Sequence, residues 1–118
     1  KVKFDALKKY GGDESSMSPM ENVLASLAAC SSYDVLTILK KRREDVKGLE
    51  VEAIGHRRQD DYPKIFTKIN LHYIIKGSNI SSESVEKALK LSQEKYCSVG
   101  AMLEKVVKIT TSYKITDF

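Results

Sequence analysis

The sequence predicts an α+β fold in a single domain spanning residues 1–118. Of its 118 residues, 42% are hydrophobic, which is enough for one core. Segments of alternating apolar residues surround two segments of helical periodicity, in the order strand, long helix, strand, strand, helix, strand. Because the chain begins at Lys1 without a Met, we expect its extreme N-terminus to be missing or trimmed.

The long helix has a clear start signal. Ser18 fits the N-cap position, Pro19 fits the first helical position, and Glu21 can close a capping box with Ser18. The apolar periodicity predicts that the helix ends at about Arg43 or Glu44.

Four segments have the alternation or the β-branched content of strands, namely residues 2–9, 48–58, 64–77 and 106–115. The second and third of these should pair as an antiparallel hairpin across the polar turn that contains Pro63. One face of the third segment is predicted to point into the core, and its residues are Ile65, Thr67, Ile69, Leu71, Tyr73 and Ile75.

The second helix should begin at Ser81 or Ser82 and reach Tyr96. Gly100 interrupts the helical pattern close to Cys97. The second cysteine therefore lies at or near a helix end.

The charge distribution favours no nucleic-acid or membrane partner. Twenty Lys plus Arg against sixteen Asp plus Glu give a net charge of +4, spread along the chain, and the basic run at 40–43 suits the end of a helix. The longest apolar stretch, residues 23–29, is shorter than the ~20 residues of a membrane span. The N-terminal segment has no apolar run typical of a signal peptide, so a cytoplasmic location is expected.

The element order also matches a ferredoxin-like split βαβ arrangement, which many RNA-binding modules use. The aromatic strand motif of RNA-recognition domains is absent, and the nearest strand reads KIFTKINLHY. An RNA-binding module stays an alternative on topology alone.

The residues exclude most familiar site chemistries. Cys30 and Cys97 are 67 positions apart and the two histidines, His56 and His72, are 16 apart, so no pair has the spacing of a structural zinc site and we expect no metal. Both imidazoles are expected to be solvated or hydrogen-bonded. The chain has no nucleophile elbow, P-loop or dinucleotide-binding glycine motif, and we expect no cofactor.

The two thiols are the remaining candidates. Cys30 lies at the margin of the apolar stripe of the long helix, on the side of Leu27, with small neighbours that allow close approach. Cys97 would have a lowered pKa if Ser98 starts a new helical turn, and a raised one if Cys97 closes the preceding helix. A buried cysteine that acts only as a small hydrophobe is the alternative for both.

Three segments resemble one known family. They read SPMENVLASLAACSSYDVLTILKK, DYPKIFTKINLHYIIKG and EKYCSVGAML, and they are similar to the OsmC/Ohr family of thiol-dependent hydroperoxide reductases, most of all its YhfA-like branch. The resemblance implies an intertwined homodimer with two principal helices packed between curved antiparallel sheets. It also implies reduction of organic hydroperoxides in oxidative-stress defence, with Cys30 as peroxidatic thiol, Cys97 as resolving thiol and a dithiol as reductant.

The sequence departs from the family pattern around the first cysteine. The family's acid falls at Met20, one position before Glu21, and Glu21 is a candidate site residue that its capping role also explains. The family's catalytic Arg has no counterpart before Arg42, and Asp34, one turn after Cys30, would raise the thiol pKa. A non-catalytic module of the same fold, binding a small apolar ligand or sensing redox state, is therefore the alternative function.

Overall fold

The start of the long helix follows the predicted capping box. The Glu21 N–H donates to Ser18 Oγ at 3.3 Å, and the Ser18 N–H donates to Glu21 Oε1 at 3.0 Å. The helix, α1, spans Pro19–Lys41 and ends slightly earlier than predicted. The cause is Arg43, whose φ of 60° is left-handed and cannot continue the helix.

The computed structural model describes residues 1–117. After α1 come two long strands, β1 and β2, then two helices, α2 and α3, separated by a π-helical turn, and a final strand, β3. Their bounds are Asp45–Arg57 for β1, Phe66–Ser78 for β2, Ser82–Leu91 for α2, Ser92–Tyr96 for the π turn, Ser98–Leu103 for α3 and Lys108–Asp117 for β3.

The three strands form one sheet in the order β1-β2-β3. β1 and β2 form the predicted antiparallel hairpin, with Val51 opposite Tyr73. β3 lies parallel to β2, with Tyr73 opposite Tyr113, because the chain crosses over through α2 and α3 before it returns to the sheet. The α+β class is confirmed, and the sheet is mixed rather than wholly antiparallel.

The strand predicted at residues 2–9 is wrong, since this segment has no strand and ends in a 3₁₀ turn at Lys8–Tyr10. The Asp5 carboxylate accepts hydrogen bonds from the N–H groups of Ala6, Asp13 and Ser15 and from the Ser15 hydroxyl. These bonds fold the segment into a loop instead of a ladder. The four-stranded split βαβ arrangement is therefore not formed within residues 1–117.

The core lies between the sheet and the helices. Ile69, Leu71, Tyr73 and Ile75 of β2 are buried, as predicted. Ile65 and Thr67 are exposed and Phe66 is buried, the reverse of the prediction. A register shift opposite His56 and Arg57 changes the alternation at this end of the hairpin.

α1 is by length and composition compatible with a membrane span, although the short run at 23–29 gave no such indication. In the structure it packs against β1, α2 and α3 and buries Leu27, Val35 and Leu39. α1 is therefore the central helix of the fold's own core.

Candidate thiol site

The fold brings the two cysteines together. The sulfur atoms of Cys30 and Cys97 and a carboxylate oxygen of Asp34 all lie within 4.8 Å of one another. Both thiols are free. Residues 67 positions apart in sequence thus form one cluster, which neither local pattern could show.

The periodicity of α1 explains two members of this cluster. Leu27, Ser31 and Val35 are buried along one stripe of the helix. Cys30 and Asp34 are one turn apart and lie at the margin of that stripe, where both are half-buried. Their side chains therefore face the same neighbouring segment.

That segment is the π turn after α2. The Cys97 N–H donates to the Ser92 carbonyl oxygen at 2.8 Å, which closes the wider turn and stops the helix. Cys97 then becomes the N-cap of α3, and its Sγ accepts a hydrogen bond from the Gly100 N–H at 3.3 Å. The π turn thus places both Ser92 and Cys97 beside α1.

The pKa of Cys97 is raised from the ordinary 9.0 to about 11. Burial is the largest cause, and Cys30 and Asp34 raise it further, while the Gly100 N–H acts in the opposite direction. Ser98 does start a new helical turn, but the lowered pKa predicted for that arrangement is wrong. The Cys97 side chain is only 4% exposed, and its desolvation raises the thiol pKa by more than the N-terminus of a short helix lowers it.

A chain of hydroxyl groups ends at Asp34. Ser92 donates to Asp34 Oδ2 at 3.0 Å, and Ser92 also contacts Ser31 at 3.1 Å. Since the single hydroxyl proton of Ser92 is used on the carboxylate, Ser31 must donate to Ser92, and the Tyr73 hydroxyl must donate to Ser31. Burial raises the pKa of Tyr73, which keeps this hydroxyl protonated. The chain therefore orients the Asp34 carboxylate beside the thiols.

Sequence reasoning missed Ser31, Ser92 and Tyr73. Ser31 gave the only local signal, because a Ser on the buried stripe of a helix needs a partner. Tyr73 was predicted to be buried, but its hydroxyl partner comes from another element. Ser92 was placed on a regular helix, which the π turn interrupts.

The other candidate residues lie away from this cluster. Glu21 is held in the capping box, and its nine-residue offset from Cys30 corresponds to about 13 Å along the helix axis. Three of the arginines have partners elsewhere: Arg42 donates to Ser84, Arg57 donates to the Lys64 carbonyl oxygen, and Arg58 pairs with Asp60.

The histidines take no part in the cluster formed by Cys30, Asp34 and Cys97. His72 Nδ1 is 2.8 Å from Ser112 Oγ, and His56 is exposed, so the prediction of solvated or hydrogen-bonded imidazoles is confirmed.

Two depressions adjoin the cluster. A cavity of about 230 Å³ is lined by Cys97, Ser31 and Ser92 together with the apolar side chains of Leu27, Leu71, Val107 and Ile109. A groove of about 410 Å³ also reaches Asp34. Its walls include the aromatic and aliphatic side chains of Tyr33, Ile38, Leu91 and Tyr96 and the cationic side chains of Lys41, Arg42 and Lys87. Apolar groups can therefore approach the Cys97 sulfur through the cavity and Asp34 through the groove.

Comparison with known proteins decides the family. Residues 11–112 match the family model described as OsmC-like protein. The chain belongs to the OsmC-like family. It is 49% identical to Protein YhfA of Escherichia coli K12 over 98 residues, which are 83% of this chain and 72% of that protein.

Solved structures share the fold. A hypothetical protein from Aquifex aeolicus is 36% identical, with a TM-score of 0.83 over 91% of this chain and 79% of its own. An organic hydroperoxide resistance protein OsmC from Legionella pneumophila has a TM-score of 0.72 over 94% of this chain and 79% of its own, at 14% identity. The second comparison establishes the OsmC-like fold only.

Proposed function

We propose that this chain reduces organic hydroperoxides through Cys30 and Cys97. The observation that supports the proposal most directly is the meeting of the two sulfur atoms within 4.8 Å of each other, beside a cavity that is lined partly by apolar side chains. The fold is shared with a protein described as an organic hydroperoxide resistance protein.

Cys30 is the peroxidatic thiol of this proposal, because it is the more exposed of the two. The Asp34 carboxylate lies within 4.8 Å of its sulfur, close enough to accept its proton through one bridging water. The thiolate then attacks the distal oxygen of the hydroperoxide. An S–O bond forms, the O–O bond breaks, and the alkoxide leaves with a proton as an alcohol, so Cys30 becomes a sulfenic acid.

Cys97 is the resolving thiol. Its high pKa keeps it protonated and unreactive toward peroxide until the sulfenic acid forms next to it. Its sulfur then attacks the Cys30 sulfur, the S–O bond breaks, and water leaves with the Cys97 proton. The two electrons lost in forming the disulfide are those gained by the peroxide, and a dithiol returns them in the next cycle.

The same proposal includes a homodimer in the cytoplasm. Tyr33 and Leu36 of α1 are 74% and 41% exposed, and Tyr96 beside the thiol site is 50% exposed. Large apolar side chains in this number next to a site favour coverage by a second copy. Size-exclusion chromatography with light scattering should give twice the mass of one chain.

The test is peroxide consumption with cumene hydroperoxide and a dithiol reductant. The wild-type chain should turn over and Cys30→Ser should lose turnover. Without the dithiol, Cys97→Ser should consume no more than about one peroxide per chain and stop as a sulfenic acid, because no second thiol is present to condense with it. Ser32→Ala, next to the site but outside the thiol cluster, is the matched control and should turn over normally. Turnover that survives Cys30→Ser would overturn the assignment.

A second candidate function is binding of a small apolar ligand or redox sensing by the same fold. The groove of about 410 Å³ at Asp34, whose walls combine aromatic and aliphatic side chains with three cationic ones, favours it. In the same assay a sensor would form one disulfide per chain without sustained peroxide consumption.

A further inference from the structure

The thiol cluster contains a third potential metal ligand that the spacing of Cys and His could not reveal. Two sulfur atoms and a carboxylate oxygen lie within 4.8 Å of one another, contributed by Cys30, Cys97 and Asp34. In tetrahedral coordination with Zn–S bonds of about 2.3 Å, two sulfur ligands are about 3.8 Å apart. A sulfur and an oxygen ligand are about 3.6 Å apart in the same geometry, so shortening each separation by at most about 1.2 Å converts the observed cluster into three corners of a tetrahedron.

We propose that the reduced thiols of Cys30 and Cys97, together with the Asp34 carboxylate, form a binding site for a zinc ion. Three protein ligands leave the fourth position open for water or for an exogenous ligand. Two thiolates select a soft or borderline divalent ion over magnesium or calcium.

Outer hydrogen bonds around this cluster are those expected of a metal site. Ser92 donates to Asp34 Oδ2 at 3.0 Å, which fixes the carboxylate and leaves Oδ1 available as a ligand. The Gly100 N–H points at Cys97 Sγ from 3.3 Å and would stabilise the thiolate form. Ser92 is 1% exposed and is itself held by Ser31, so the carboxylate is fixed before any ion binds.

Zinc binding goes beyond the proposed peroxide chemistry and does not depend on it. The test uses reduced full-length protein without peroxide, under anaerobic conditions. Titration with Co²⁺ should give thiolate-to-cobalt charge-transfer absorption that saturates at one ion per chain, and Zn²⁺ should abolish it by displacement. Zn²⁺ should also raise the midpoint of thermal unfolding.

Graded variants separate ligands from neighbours. Cys30→Ser and Asp34→Asn should weaken Zn²⁺ binding by more than ~100-fold, and Ser92→Ala by about 10 to 100-fold. Asp13→Asn removes an exposed carboxylate far from the thiols in sequence and is the matched control, which should bind as the wild type does. Each variant's unfolding midpoint without metal shows that it folds.

The results that would overturn the proposal are defined in the same titration. Absence of charge-transfer absorption at stoichiometric Co²⁺, or equal Zn²⁺ affinity in the wild type and in a folded Cys30→Ser or Asp34→Asn variant, would do so. Peroxide turnover without any metal binding would overturn the zinc site and leave the proposed function intact. Metal binding without peroxide turnover would support the zinc site and overturn the proposed function.

Discussion

Alkylation of Cys97 in the folded protein should be slow and should depend on pH far into the alkaline range. The pKa of about 11, against an ordinary 9.0, lowers the thiolate fraction at pH 8 by about 100-fold. A more basic thiolate is also more nucleophilic, with a Brønsted slope of about 0.4 to 0.5, which returns about 6 to 10-fold. Ionisation alone therefore slows Cys97 by about 10-fold, before any shielding by the side chains around it.

The assay is peptide-resolved mass spectrometry of initial iodoacetamide labelling between pH 7 and pH 11, in the presence of a chelator. Shielding scales the rate at every pH equally, so the pH at which the rate stops rising reports the pKa. The same cysteine in urea-unfolded protein is the matched control and should level off near its ordinary pKa. Cys97 labelling that levels off at or below pH 9 in the folded chain would refute the reasoning that burial dominates this thiol.

The other predictions concern the helix cap, the N-terminal loop and the packing of α3. Ser18→Ala should cost about 1 kcal/mol in urea unfolding, because it removes the cap acceptor, and the exposed mid-helix control Ser26→Ala should cost less; equal losses would contradict the cap. Hydrogen bonds, chiefly from Ser15, lower the pKa of Asp5 to about 2, which is below its value in the unfolded chain. The stabilisation of the folded loop by these bonds is therefore fully present above about pH 4 and is lost as the pH falls through about 2. An Asp5 carboxyl that titrates near pH 4 in the folded protein, measured by NMR, would contradict this. A Cβ at Gly100 would lie 3.3 Å from Cys97 Sγ, so Gly100→Ala should displace the thiol and slow peroxide-driven disulfide formation, and an unchanged rate would count against this close approach of Gly100 to the sulfur.

Local signals were sufficient for the parts of the fold that local interactions determine. The Ser18 cap and the alternation of β2 depend on neighbours a few residues away, so both were predictable. The strand prediction for residues 2–9 was wrong because the Asp5 side chain accepts hydrogen bonds from backbone N–H groups eight and ten positions further along the chain. The predicted orientation of Phe66 was wrong because one register shift inverts the alternation of buried and exposed residues at the end of the strand.

The candidate site was predictable only in part. Both cysteines could be selected by elimination, but their meeting depends on the π turn, whose single extra residue changes the direction of everything after Ser92. The pKa of Cys97 could not be derived from helix polarity because it depends mainly on burial, which is a property of the whole fold. The same holds for the hydroxyl chain from Tyr73 to Asp34, which joins α1, β2 and the π turn.

The zinc site and the disulfide require incompatible positions of the same two sulfur atoms. A disulfide holds them about 2.05 Å apart, whereas tetrahedral zinc holds them about 3.8 Å apart, and each state uses the lone pairs that the other needs. Preloading reduced protein with Zn²⁺ should therefore slow thiol loss to cumene hydroperoxide, and a chelator should restore the rate. Disulfide formation should in turn release the ion, which a chromophoric chelator can follow. Thiol loss that proceeds equally fast with saturating zinc would mean that the ion is bound elsewhere, because a coordinated Cys30 thiolate is not free to attack.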